Sequence, residues 1–147
     1  MWRHILTAVA VLAAVLGTGS VAAEQVQVFG DYEVHYNALN SSALSPAIAK
    51  QYGLTRGGNQ GLINIAVRKR DGKDGTAVAA KVSGDVKNLL SQRNTLSFKE
   101  IKETGAVYYI ATFRFDDKDT LTFELNVQPD GDNSSYPLTF NQTLWVQ

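Results

Sequence analysis

The chain contains no cysteine, and that single absence closes several chemistries. Disulfide staples, thiol nucleophiles and thiolate metal sites are all excluded, as is a lipid-modified cysteine that would tether the protein to a membrane. Histidine is nearly as scarce. There are two, His4 and His35, so zinc or copper held by a histidine cluster is not expected. Charge of one sign is also missing: 14 basic residues balance 14 acidic ones. A nucleic-acid binder carries a basic surplus, so no nucleic-acid partner is expected. Nor is there an apolar run long enough for a good membrane span, which needs about 20 residues. The longest, Ile5 to Leu16, is shorter and built mainly of Ala, Val and Leu.

That run has the layout of a secretory leader instead. Arg3 and His4 precede it, Gly17-Thr18-Gly19-Ser20 breaks it, and Val21-Ala22-Ala23 places small residues before a cleavage site. Cleavage is expected between Ala23 and Glu24. Residues 1–23 then form a signal peptide, and 24–147 a single domain of 124 residues within the usual size range. Losing Arg3 leaves 13 basic against 14 acidic residues. The expected location is periplasmic, with no stable membrane anchor.

From Glu24 onward the dominant period is two, filled by β-branched and aromatic residues. Val26 and Val28 open it, and Tyr32, Val34 and Tyr36 continue against Glu33, His35 and Asn37. Ile63, Ile65 and Val67 alternate with Asn64, Ala66 and Arg68. A turn-rich stretch, Asp71 to Gly75, joins them to a strand expected over Ala77–Val82. Leu96 and Phe98 mark another strand. Ala106 to Phe115 has no polar face and reads as a central strand covered on both sides. Leu121, Phe123, Leu125 and Val127 form the cleanest alternation, and Tyr136 to Val146 supplies the last strand. Seven or eight strands at this spacing predict an all-β, immunoglobulin-like antiparallel β-sandwich. A lipocalin-like barrel carrying a small ligand is the second architecture.

One short helix interrupts a long loop. Ser45 is a good N-cap, Pro46 a favoured first residue, Ala47 to Tyr52 are helix-compatible, and Gly53 is a natural stop. The connection from Ala38 to Gly61 is longer than a sandwich needs, and long loops on rigid scaffolds tend to carry function. Its glycine-rich half lacks the lysine and hydroxyl of a phosphate loop.

Catalytic motifs are absent. No G-x-S-x-G elbow accompanies His35, and neither acidic loop (Asp116 to Asp119, Asp130 to Asn133) has the ligand spacing of a calcium hand. Aspartates there read as turn-formers. No catalytic residue, metal or cofactor is assigned. The candidate binding residues are Glu33, His35 and Asn37 on one strand face, with Asn40, Tyr52 and Arg56 from the following loop. The alternative to a recognition surface is that this loop merely covers an edge strand. Trp145 falls out of phase with Leu144 and Val146 and belongs to the opposite face of the last strand.

The stretch Phe29-Gly30-Asp31-Tyr32-Glu33-Val34-His35-Tyr36-Asn37-Ala38 resembles the opening of a proteobacterial family of small exported proteins catalogued as a domain of unknown function. Tyr52-Gly53, Gly61-Leu62-Ile63-Asn64-Ile65, Asn88-Leu89-Leu90 and Tyr108-Tyr109-Ile110-Ala111 are similar to that family as well. The resemblance implies a periplasmic setting and an all-β fold, and no reaction or ligand. By subtraction, the expected function is a non-catalytic periplasmic binding or interaction module for a protein, an envelope component or a small ligand. The alternative is a small enzyme built from carboxylates and tyrosines, with Glu33 and Asp31 near His35.

Overall fold

Period-two patterning resolves into ten strands in two antiparallel sheets, in a computed structural model that describes residues 24–73 and 75–147. The leader expected over residues 1–23 lies outside the described residues. The strands are β1 (Gln25–Phe29), β2 (Tyr32–Asn40), β3 (Gln60–Lys69), β4 (Thr76–Val78) and β5 (Ala80–Lys87), then β6 (Arg93–Thr95), β7 (Lys99–Glu103), β8 (Ala106–Arg114), β9 (Asp119–Pro129) and β10 (Tyr136–Leu144). Six of them form one sheet in the order β1-β2-β3-β8-β7, with β4 beside the far end of β3. The other four run β10-β9-β5-β6. Both sheets are open, so the chain is an all-β sandwich and not a barrel.

The core lies between the sheets. Val34, Tyr36 and Ala38 of β2, Ile63, Ile65 and Val67 of β3, and Tyr109, Ala111 and Phe113 of β8 face Leu121, Phe123, Leu125 and Val127 of β9 and Leu138 and Phe140 of β10. Phe123 has no exposed surface; it stacks on Phe140 at 4.8 Å and meets Phe113 edge-on at 5.2 Å. As the unbroken apolar pattern requires, β8 is central, lying between β3 and β7.

Three expectations need correction. The strand expected over Ala77–Val82 is two strands in different sheets: β4 pairs with β3, and β5 pairs with β9. The chain crosses from sheet to sheet at Ala79, which alternation alone does not register because each half keeps its own period. Leu96 and Phe98 lie in the connection between β6 and β7 rather than in a strand. Leu96 is still buried, and the strand beside it, β7, reads Lys-Glu-Ile-Lys-Glu and so hides among charges. The last strand ends at Leu144, leaving Val146 45% exposed.

The loop between β2 and β3 holds a 3-10 turn (Ser41–Ala43) and one helix, α1 (Pro46–Tyr52). The Ser45 hydroxyl caps α1 by accepting from the Ile48 N–H at 3.1 Å, and Gly53 ends it in the left-handed region at φ 65°. The loop covers more than an edge strand, reaching Ile101 of the edge strand β7 as well as the inner strands. It lies on the outer face of the six-stranded sheet, where Leu44 and Ile48 pack with Leu39, Leu62, Ile101 and Ile110 in a second, smaller apolar cluster. That is why β8 has no polar face.

Candidate functional site

Side chains alternate strictly across β2 and β3, so the residues skipped by the core form rungs on the outer face. Register pairs Glu33 with Arg68, His35 with Ala66, Asn37 with Asn64 and Leu39 with Leu62. The rungs grade from charged through polar to apolar, ending under α1. Asn64 also pairs with Ile110 of β8.

Asn37 and Asn64 are the unusual rung. Asn37 is only 2% exposed and Asn64 6%. Asn37 shares its strand face with the half-exposed Glu33 and His35, but its end of the face, beside the apolar cluster under α1, is buried. Both polar atoms of the Asn37 carboxamide, and Oδ1 of Asn64, have no hydrogen-bond partner. An unpaired buried polar group costs about 1–3 kcal/mol, and native interiors hold few of them. Left unpaired, these three atoms would cost the fold stability.

One rung away, His35 is held between two carboxylates. Nδ1 lies 3.0 Å from Glu24 Oε1 and Nε2 lies 3.2 Å from Glu33 Oε2. Carboxylates only accept, so both contacts are hydrogen bonds only when both ring nitrogens carry protons. Glu33 also faces Arg70 at 3.7 Å. A depression of about 210 Å³ opens beside this rung, where β3 exchanges β8 for β4, and Glu24, His35, Ala66, Arg68, Ala106 and Tyr108 line it. Burial raises the Tyr108 phenol above its ordinary pKa, and the charges of Glu24 and Glu103 add to the shift.

Of the six residues grouped from sequence, Glu33, His35 and Asn37 do share this face. Tyr52 packs at the far side of the apolar cluster, donating its hydroxyl to Glu103 Oε1 at 2.6 Å. Burial first, and then that carboxylate, push its pKa up to about 12. Asn40 and Arg56 do not join. The Asn40 amide donates to the carbonyls of Gly58 (2.8 Å) and Trp145 (3.0 Å), tying the loop to the C-terminal segment. Arg56 donates to the carbonyls of Leu44 and Ser42, closing the loop on itself. Sequence reading missed Glu24, Tyr108 and Asn64 as site residues. The signal for Asn64 was present: an asparagine on the outward period of a strand whose other outward neighbour is Leu62.

A larger concavity, about 310 Å³, lies between the ends of β2 and β10 and is lined partly by Asn40 and Trp145. Its amide is already spent on the two carbonyl bonds, so size does not select it. Trp145 is 52% exposed there. In the acidic loops, Asp117 accepts from the Val146 N–H and Asp132 from Ser134 N–H and the Tyr136 hydroxyl, which is turn and tether chemistry. Among the described residues no group of three His, Cys, Asp or Glu is placed to hold a metal ion.

Two residues of the family-like stretches outside this face, Gly61 and Asn88, are architectural. A Cβ on Gly61 would collide with the Phe113 ring. Asn88 Oδ1 accepts from the N–H groups of Leu90 and Gln92, both at 3.0 Å, setting the β5–β6 turn. No curated protein matches the chain. A crystal structure of a DUF4426 family protein from Pseudomonas aeruginosa PAO1 is similar, with a TM-score of 0.74 and 37% sequence identity over 84% of this chain and 96% of that one. The family model described as "Domain of unknown function (DUF4426)" matches residues 26–147, and the chain belongs to that family.

Proposed function

We propose that the protein is a non-catalytic binding module of the periplasm that recognises an amide-bearing group at the Asn37–Asn64 rung. The observation that carries this reading is the buried pair with three unpartnered amide atoms. Asn37 offers a donor and an acceptor side by side, and Asn64 adds an acceptor. A peptide bond or an acetamido group carries the complementary N–H and C=O. The adjoining depression of about 210 Å³ is smaller than the 300–1,000 Å³ typical of whole-ligand pockets. It suits one side-chain-sized moiety of a larger partner. The polar tethers of α1 to β7 are the Tyr52–Glu103 bond and the Lys99 ammonium on the Tyr52 and Gly53 carbonyls.

Two features favour binding over catalysis. Both nitrogens of His35 face carboxylates, which leaves neither turned toward a hydroxyl nucleophile. The nearby phenol of Tyr108 is shifted upward, away from the near-neutral pKa that a general acid or base needs.

The test uses N-acetylglycinamide as a minimal amide probe at millimolar concentration, read by the side-chain amide resonances of Asn37 and Asn64. Saturable shifts at these two residues are expected. Asn37→Leu with Asn64→Leu should abolish the probe-induced shifts of the neighbouring backbone amides, His35 and Ala66 among them, while raising stability by about 1 kcal/mol or more, because unpaired buried polar groups are removed. An unresponsive wild-type protein, or a double variant that is destabilised, overturns the reading.

A further inference from the structure

Each sheet of a sandwich has two edges, and an edge presents unpaired backbone N–H and C=O groups to any other strand. Here the edges are protected on one side of the molecule only. The β7 edge reads Lys-Glu-Ile-Lys-Glu. The β6 edge is three residues long, and its Arg93 faces Asp85 and Glu124 at 3.3 Å each. Short length and charge are the usual devices against strand addition. The opposite edges carry neither. β1 reads Gln-Val-Gln-Val-Phe and β10 reads Tyr-Pro-Leu-Thr-Phe-Asn-Gln-Thr-Leu, without a charged residue in either.

These two bare edges lie on the same side. Phe29 of β1 stacks on Tyr136 of β10 at 5.2 Å, and Tyr36 of the adjacent β2 meets Phe140 at 4.5 Å. Among the described residues, neither β1 nor β10 pairs with a strand on its outer side. Of the two, β10 is longer, nine residues against five. Pro137 guards only its first residues, as edge prolines do. From Leu138 onward nothing blocks pairing.

We infer that β10 pairs antiparallel with β10 of a second copy about a two-fold axis, joining two four-stranded sheets into one. The composition of the strand names this occupant. In a two-fold contact the strand meets itself, so any charge on it would face like charge across the axis. A strand with no charge meets no such penalty, and the chain's balanced charge adds no long-range repulsion. The outward face of β10 is already part of a hydroxyl and amide ladder: Thr122 donates to Asn141 Oδ1 at 2.8 Å, and Thr120 and Thr143 hydroxyls meet at 2.9 Å. A second β10 continues that ladder with identical groups.

Sedimentation velocity of the purified protein over a concentration series reads the association directly. A dimer is expected, weakened by about tenfold or more in dissociation constant by Thr139→Lys with Asn141→Lys, while Gln27→Lys on β1 leaves it unchanged. Amide hydrogen exchange of the wild type supplies a readout independent of variant folding: protection of Leu138–Leu144 should rise with concentration. A monomer at every concentration overturns the inference, which is also the outcome if the edge serves a foreign strand. So does a dimer that survives both lysines or is dissolved by Gln27→Lys alone, or exchange in β10 that is indifferent to concentration.

Discussion

Phe123 and Tyr109 are both buried aromatics of the same core, and they differ in how far sequence could read them. Phe123 sits in the plainest alternation of the chain, and its face follows from period two alone. Its ring is fully buried between Phe140 and Phe113. Phe123→Ala should cost about 3–5 kcal/mol in urea melts, from lost transfer energy and a residual cavity. A loss below about 1 kcal/mol would mean a register slipped by one residue. Tyr109 was legible as apolar surface and not as a polar joint. Its oxygen accepts from the Ala80 N–H at 2.8 Å while its hydroxyl donates to Glu100 at 2.7 Å, and neither partner is near it in sequence. Burial, with Glu100 adding to it, pushes its pKa up to about 12 from an ordinary 10.0. The folded state therefore holds this proton more tightly than the unfolded chain, so the contribution is complete below pH 10 and is lost as pH rises toward 12. Tyr109→Phe should flatten that alkaline decline in a stability–pH profile. It should also cost about 1–3 kcal/mol near neutrality by orphaning the Ala80 amide.

At the scale of elements, local chemistry was readable and long-range assignment was not. The cap, first-turn proline and terminal glycine of α1 stand where Ser45, Pro46 and Gly53 promised, because capping is settled by neighbours. What α1 covers depends on contacts across the sheet, and period-two reading could not place the loop over Leu39, Leu62 and Ile110. The same limit split the expected strand at Ala79 and hid β7, whose charges mark a protected edge rather than a loop. It also left the candidate site half drawn. Glu33, His35 and Asn37 follow from strand parity, whereas Asn64 and Tyr108 join them only through the pairing of β3 with β2 and β8. The small cluster under α1 has a measurable role. Ile48 is 6% exposed, and Ile48→Ala should cost about 2 kcal/mol, the low end of the range for a site near the surface that can partly collapse. Urea melts give the value. Exposure of the apolar patch beneath should also raise binding of a hydrophobic dye relative to wild type.

Taken as a whole molecule, the sandwich and the leader make one coupled expectation. The leader predicts cleavage between Ala23 and Glu24, and the first strand begins one residue later, at Gln25. Glu24 itself reaches His35 at 3.0 Å. Cleavage at that bond therefore preserves the whole β1–β2 pairing and the carboxylate clamp on the imidazole. Cleavage even a few residues further along would remove Glu24 and shorten an already five-residue strand. Processing at Ala23 would also place a new α-ammonium on Glu24, beside the depression that Glu24, His35, Arg68 and Tyr108 line. Intact-mass analysis of protein from the cell-envelope fraction should give a species starting at Glu24. A chain retaining Met1 in the membrane fraction would overturn the expectation of export and cleavage. A species beginning beyond Glu24 would keep export but remove the Glu24 side of the His35 clamp, leaving only Glu33 on the imidazole.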